Sequence, residues 1–350
     1  YCPLFRASES SMNLTDPKYK DFALVKEMLE TSSVLANFNF DQVKPVADMV
    51  RKTGRIFLTG EGSSRIFPAK SFISDVLRTG LSIATATDGG FQSAEYDLAN
   101  WVVCGASNSG GTKELICLLK ALKEAGHKRL VGITANAGTK IFDYTDKTIL
   151  LSCGKEDAVA ATKSVVEQAL VYRSILCNLI PCSCSCNKVA AADAMKAIME
   201  TEYSAEIVDK LAAAPTLYFA GRNNGVAEEL TLKTNEITRK KSDYLEGTYL
   251  LHGVEEVMRE GEACILVDPY PTECENIKKL IEGRAGVFVV AISSEDTIFP
   301  TIKIPSLQGY EPFFQLVAGW NLLVQTGVKL NINLDKPERA RKIGNEFVEG

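Results

Sequence analysis

Histidine occurs only twice in this 350-residue chain, and no block is rich in lysine or arginine. With a formal net charge of −5, the electrostatic footprint of a nucleic-acid binder is missing. No apolar run approaches the roughly 20 residues that cross a bilayer. Neither nucleic acid nor membrane is therefore expected as a partner, and small-molecule chemistry is the default. A Gly-Lys-Ser/Thr phosphate loop is absent. Gly60-Glu61-Gly62 continues as Ser63-Ser64-Arg65 without the third glycine of a dinucleotide fingerprint, which weakens a nucleotide-binding reading. The opening Tyr1-Cys2-Pro3-Leu4-Phe5 lacks the charged region and apolar core of a signal peptide. Met12 is a candidate natural start, and residues 1–11 are set outside the fold. Of ten cysteines, Cys104, Cys117, Cys177 and Cys264 lie in apolar stretches where reduced thiols behave as small hydrophobes, so a cytoplasmic protein is expected. Cys182-Ser183-Cys184-Ser185-Cys186 has no Cys-x-x-Cys knuckle and no nearby histidine, and reads as a turn between helices. No metal and no cofactor are expected.

What is present is a 46% hydrophobic chain, long enough for two domains with their own cores. Apolar residues at helical spacing predict two helices between Tyr19 and Thr53. Strands are predicted at Arg55–Thr59, Leu81–Thr85, Trp101–Cys104, Leu130–Thr134 and Thr148–Leu151, with turns or helices between them. Helical stretches follow at Ala160–Leu179 and Ala190–Leu211. Then Pro215–Ala220 repeats the pattern of strand, glycine turn and helix, with further strands at Cys264–Val267 and Val287–Ile292 and a helix at Thr272–Glu282. Such alternation predicts an α/β fold of two tandem, doubly wound parallel-sheet lobes with flanking helices. The expected divisions are a tail at 1–18, helices at 19–53, lobes at 54–187 and 188–334, and a C-terminal tail at 335–350.

Between an apolar strand and a helix stands Ser107-Asn108-Ser109-Gly110-Gly111-Thr112. Its glycines allow amides to approach a ligand closely, and the helix start offers unpaired N–H groups to an anion. Plain N-capping by Ser or Thr is the structural alternative. The second lobe carries Asp268-Pro269-Tyr270-Pro271-Thr272 at the corresponding place, so only the first lobe is suited to hold a phosphate there. His127 reads as a solvated turn residue. His252, in Gly247–Gly253, is either presented by its flanking glycines or bonded in the core. Glu229, Lys233 and Glu236 share one helical stripe at i, i+4 and i+7. Glu–Lys pairs at this spacing are routine on solvated helix faces. A carboxylate and an imidazole beside a sugar could also move protons between adjacent carbons and between oxygens.

At these residues the chain resembles the SIS (sugar isomerase) domain family. Ser107 to Thr112 looks like its phosphate loop, and Gly62-Ser63-Ser64 like its first-strand turn. Glu229, Lys233, Glu236, the sixteen-residue step to His252-Gly253, and Asp335-Lys336-Pro337 with Lys342 are similar to the isomerase part of glucosamine-6-phosphate synthases. Val159-Ala160-Ala161-Thr162-Lys163 resembles the Val-Ala-Ser-Thr-Lys segment of that family, and the likeness spans about residues 54–342. The resemblance implies that Ser64, Ser107, Asn108, Ser109 and Thr112 hold a sugar phosphate, with Gly62, Ala161 and Glu229 near the substrate. It assigns Glu236 the proton shuttle between C1 and C2, His252 ring opening, Lys342 the open-chain carbonyl, and Lys233 support of the Glu236 charge. It further implies a homodimer in which the histidine comes from the neighbouring subunit.

The departures are Val254 where the family often has Pro, Ala161 for a serine, and Thr248 and Tyr249 for acidic residues. No N-terminal glutaminase region is expected. The expected function is thus a phosphosugar isomerase or deaminase acting on a ketose, aldose or amino-sugar 6-phosphate. The alternatives are a fructosamine-6-phosphate deglycase and a non-catalytic sugar-phosphate-binding sensor.

Overall fold

A computed structural model describes Met12 and residues 14–180, 187–342 and 344–348. The chain forms two compact units: Ser33–Asp157 with Ala161–Val189 and Ala340–Gly350, and Tyr1–Ser32 with Ala158–Ala160 and Ala190–Arg339. Each holds one five-stranded, all-parallel sheet.

Helix α1 (Ala23–Asn37) precedes α2 (Lys44–Thr53), as the apolar spacing predicts. The first sheet follows: β1 (Arg55–Gly60), α3 (Ile66–Thr79), β2 (Ala84–Asp88), α4 (Gly90–Ser93), β3 (Val102–Ala106), α5 (Lys113–Glu124), β4 (Leu130–Thr134), α6 (Ile141–Tyr144), β5 (Lys147–Leu150) and α7 (Lys163–Leu179). The strand order is β2-β1-β3-β4-β5, so Leu58 of β1 pairs with Thr87 on one side and Cys104 on the other. Strands β3 and β4 are buried end to end, which is why they read as continuous apolar runs. On one face Phe57, Val103, Leu115, Ile116, Leu119 and Ile141 form a core. The chain reverses its direction of strand addition between β1 and β3. In open parallel sheets such a switch point is where loops at the carboxyl ends of strands receive ligands.

The second unit contains most of α8 (Lys188–Met199), then α9 (Ala205–Ala213), β6 (Thr216–Gly221), α10 (Val226–Thr238), β7 (Lys241–Glu246), β8 (Ala263–Val267), α11 (Cys274–Ile277), β9 (Phe288–Ser293), β10 (Thr301–Lys303) and α12 (Glu311–Lys329). Its order is β10-β9-β8-β6-β7, the same winding with its switch point between β6 and β8. Helix α12 is buried at every position from Pro312 to Gly327.

Several expectations are corrected. Ala190–Leu211 is not one helix: it breaks at 200–204, where Asn321 and Gln325 of α12 donate to the Thr201 carbonyl and Gln325 accepts from the Tyr203 N–H. Strand β2 begins at Ala84, three residues after its predicted start. Cys104, Cys117 and Cys264 are free, and burial pushes the Cys104 and Cys264 thiols up to about 12, but Cys177 is disulfide-bonded rather than reduced. The Cys182–Cys186 turn lies outside the described residues, and among the described residues no cluster of metal-ligating side chains occurs. No helix of the described residues is long and apolar enough to cross a membrane.

Candidate functional site

The loop after β3 is built around its hydroxyls. Ser107 Oγ lies 2.8 Å from Thr112 Oγ1 and 3.4 Å from Ser109 Oγ, and the Gly110 N–H donates to Ser107 Oγ at 3.0 Å. Gly110 has φ +69°, and a Cβ there would stand 2.0 Å from Thr139 Oγ1, so only glycine closes the turn. Thr112 occupies the N-cap of α5, yet its hydroxyl makes no capping bond and turns to Ser107 instead. Capping therefore does not account for the threonine. Three hydroxyls share one spot at the amino end of a twelve-residue helix.

Asn108 is held from two directions. Its carbonyl accepts from Thr134 Oγ1 (3.0 Å) and Asn136 Nδ2 (2.7 Å), and its side-chain Nδ2 donates to Glu156 Oε2 at 2.8 Å. Ser64, in the 3-10 turn Gly62–Ser64 after β1, receives a hydrogen bond from Gln168 Nε2 of α7 at 3.4 Å. Gly62 begins that turn with φ +52°. These two loops leave the carboxyl ends of adjacent strands β1 and β3.

Three features of this unit escape the sequence reading. Glu156, 3% exposed, accepts from Asn108 and, across Ala161, from the Thr162 N–H (2.8 Å) and Ser164 Oγ (2.5 Å). Lys342 Nζ stands 3.7 Å from the same carboxylate. The C-terminal segment also anneals to the loop: the Lys113 N–H donates to the Asn345 carbonyl, the Phe347 N–H to the Gly111 carbonyl, and Asn345 Nδ2 to Glu114 Oε1. Nothing in the polar run Gly154-Lys155-Glu156-Asp157 marks a buried carboxylate, and no local signal marks the annealed tail.

In the other unit, Lys233 Nζ lies 2.7 Å from Glu236 Oε2 and 3.5 Å from Glu229 Oε1. The Glu229 and Lys233 side chains are 0% and 1% exposed, whereas Glu236 is 22% exposed. The stripe is thus no solvated helix face. Burying an ammonium with two carboxylates is costly unless the pairing is close, and its open end is Glu236. His252 follows the 3-10 turn Tyr249–Leu251, with the left-handed Gly253 (φ +96°) after it. It is exposed and its ring makes no hydrogen bond with the described residues, which removes the core-histidine alternative. No hydrogen bond or ion pair joins it to Glu236. His127 corrects the other expectation. It is 8% exposed, its Nε2 is 3.1 Å from the Leu98 carbonyl, and Nδ1 accepts from the Arg129 N–H, so its turn folds inward. Burial lowers its pKa. Asp335 of the tail motif is a helix cap, its carboxylate accepting from the Ala23 and Leu24 N–H groups at 2.9 and 2.8 Å.

Comparison with known proteins agrees with this architecture. The chain is 23% identical over 346 residues to a glutamine–fructose-6-phosphate aminotransferase (isomerizing) of Methanococcus maripaludis, covering 93% of this chain and 56% of that protein. It is 27% identical over 260 residues to the protein of the same name from Caldanaerobacter subterraneus, covering 67% and 42%. The chain thus spans about half the length of these relatives. Among solved structures, tagatose-6-phosphate ketose/aldose isomerase from Escherichia coli superposes with a TM-score of 0.76 at 15% identity, covering 95% of this chain and all of that one. Glucosamine-6-phosphate deaminase from Thermotoga maritima gives 0.71 at 18% identity, covering 91% and 97%. The C-terminal domain of the Francisella tularensis glucosamine–fructose-6-phosphate aminotransferase gives 0.72 at 16%, covering 91% and 98%. These likenesses show the fold, that of tandem sugar-isomerase lobes. The SIS domain model matches residues 49–177, the stretch that carries the hydroxyl-rich loop and the first sheet, and this part of the chain belongs to the SIS domain family.

Proposed function

We propose that the protein is a phosphosugar isomerase or deaminase in which Glu236 moves a proton between C1 and C2 of a ketose, aldose or amino-sugar 6-phosphate. The observation that carries this reading is the Glu229–Lys233–Glu236 array, buried at two members and open at the third. The Lys233 ammonium lies 2.7 Å from the Glu236 carboxylate and orients it toward its open side. A surface ion pair would be exposed throughout, and a structural one buried throughout.

In this reading Ser107, Ser109 and Thr112 donate hydroxyls to the phosphate, with Ser64, the Asn108 backbone and the α5 N-terminus in support. Neutral donors and a helix dipole suit a dianion that must also leave. His252 assists ring opening by moving a proton between the ring oxygen and the anomeric hydroxyl. Its exposure and unbonded ring support a role in a neighbouring subunit, hence a homodimer. Lys342 serves the open-chain carbonyl. Glu236 removes the proton from one carbon to give an enediol and returns it to the adjacent carbon. With an amino sugar the same step converts an amine-bearing carbon to an imine, and water then releases ammonia. Gly62, Ala161 and Glu229 complete the proposed set, the last as the buried partner of Lys233. A cytoplasmic location accords with this substrate class.

The test is incubation with hexose phosphates, amino-sugar phosphates and fructosamine phosphates, scoring isomer, ammonia and amine release separately. Turnover of any one fixes the class. Ligand-induced thermal shifts without turnover across the panel would replace the enzyme reading with a sensor.

A further inference from the structure

Glu156 is a heavily engaged carboxylate, and the proton transfer described above does not use it. Its side chain is fully buried, and its oxygens accept from Asn108 Nδ2 (2.8 Å), the Thr162 N–H (2.8 Å), Thr162 Oγ1 (3.4 Å), the Ser164 N–H (3.4 Å) and Ser164 Oγ (2.5 Å). The one ammonium in ion-pair reach among the described residues is that of Lys342, at 3.7 Å.

A buried anion below a loop suited to another anion is electrostatically adverse and calls for a compensating cation. The same oxygen, Oε2, meets both Asn108 of the loop and Lys342 of the C-terminal segment. Without that carboxylate, the lysine would be drawn toward the dianionic phosphate. We infer that Glu156 is a positioning residue that holds Lys342 off the phosphate and presents its amine toward the carbonyl end of the sugar, while fixing Asn108 and the 162–164 segment. The catalytic meaning of this rests on the proposed role of Lys342. The ionic coupling between the two residues does not.

Other charges also act on Lys342. Asp157 feels both Lys342 and Lys163, and is itself paired with Lys155 at 2.7 Å; Arg341 precedes Lys342 in the chain. Asp157 is exposed, so water screens it, whereas the Glu156 side chain is fully buried 3.7 Å from the Lys342 amine.

The experiment reads Lys342 directly, without turnover. The intact protein is labelled with a trace of acetic anhydride across pH 7 to 11, and modification at Lys342 is followed by mass spectrometry. Glu156→Gln removes the charge and is expected to lower the labelling midpoint by about one pH unit, because an adjacent anion stabilises the ammonium. Glu156→Asp keeps the charge and should restore more than half of that shift. A purely structural role predicts equal midpoints in all three proteins, and that result overturns the inference. Should Glu156→Gln not fold, Glu156→Asp alone carries the test: withdrawing the charge by one methylene lowers the midpoint by a smaller, measurable amount, and no change refutes the coupling. A chain that shows the shift yet turns over no sugar phosphate would refute the proposed reaction and leave the positioning intact.

Discussion

Replacing Lys233 by methionine removes one ammonium from between two carboxylates and takes from the buried Glu229 the cation 3.5 Å away. Glu229 is 0% exposed and so has no water to fall back on; Glu236, at 22%, reaches solvent. The cost is bounded by the escape open to a stranded carboxylate, which is to take up a proton. That escape costs about 1.4 kcal/mol for each pH unit above an ordinary glutamate value near 4.3, hence about 3.7 kcal/mol at pH 7 and about 1 kcal/mol at pH 5. For a unit of this size, about 3.7 kcal/mol corresponds to roughly 7–15 °C in Tm. The sign follows from linkage. The stranded Glu229 binds a proton in the folded variant that the unfolded chain does not, so K233M gains stability relative to the parent as pH falls from 8 to 5. Thermal unfolding of both proteins at pH 5, 6, 7 and 8 measures this, and the double variant E229Q/K233M should lose the pH dependence. A loss below about 1 kcal/mol at pH 7 with no pH trend would mean that the triad is solvated, and the argument from burial would fail.

Three further outcomes follow from the same geometry. Removing one hydroxyl that donates to a dianion, in Ser109→Ala or Thr112→Val, should raise the Kd for orthophosphate or a sugar phosphate about ten- to a hundredfold, read by calorimetry, because such a bond is worth about 1.5–3 kcal/mol. Gly110→Ala forces a left-handed backbone onto a residue with a Cβ and drives it into Thr139, so it should cost at least about 1–3 kcal/mol in denaturant unfolding and abolish phosphate binding. His127 stays neutral when folded, because burial lowers its pKa, while the unfolded chain binds a proton near pH 6.5. Stability should therefore decline as pH falls through 6.5, and His127→Gln should flatten that decline in thermal melts.

The central strands were legible because burial on both faces leaves uninterrupted apolar runs, as in Val102–Cys104 and Ala263–Val267. The edge strands of the second sheet were not. Lys241-Ser242-Asp243-Tyr244-Leu245-Glu246 is polar on its open side, and β10 is three residues long. Helix α12 carried no amphipathic signal for the opposite reason: it is buried around its whole circumference, so no 3.6-residue period stands out. The break between α8 and α9 is imposed by Asn321 and Gln325, more than a hundred residues away in the chain, and no local pattern encodes it. In the candidate site, spacing identified which residues share a helix face but not their depth. The same i, i+4, i+7 pattern fits a wet surface or a dry one, and burial of Lys233 decides between them. Depth also reversed the reading of His127, and it is what gives Glu156, unremarkable in a polar run, its importance.

The central claim is that Glu236 transfers a proton beside the sugar carbonyl. Incubating the protein in D2O with a hexose 6-phosphate or amino-sugar 6-phosphate, and following deuterium at C1 and C2 by NMR, tests it most directly. The account predicts incorporation by the parent chain and a loss of at least about a hundredfold in Glu236→Gln with sugar-phosphate binding retained. Incorporation at an unchanged rate in Glu236→Gln would contradict it.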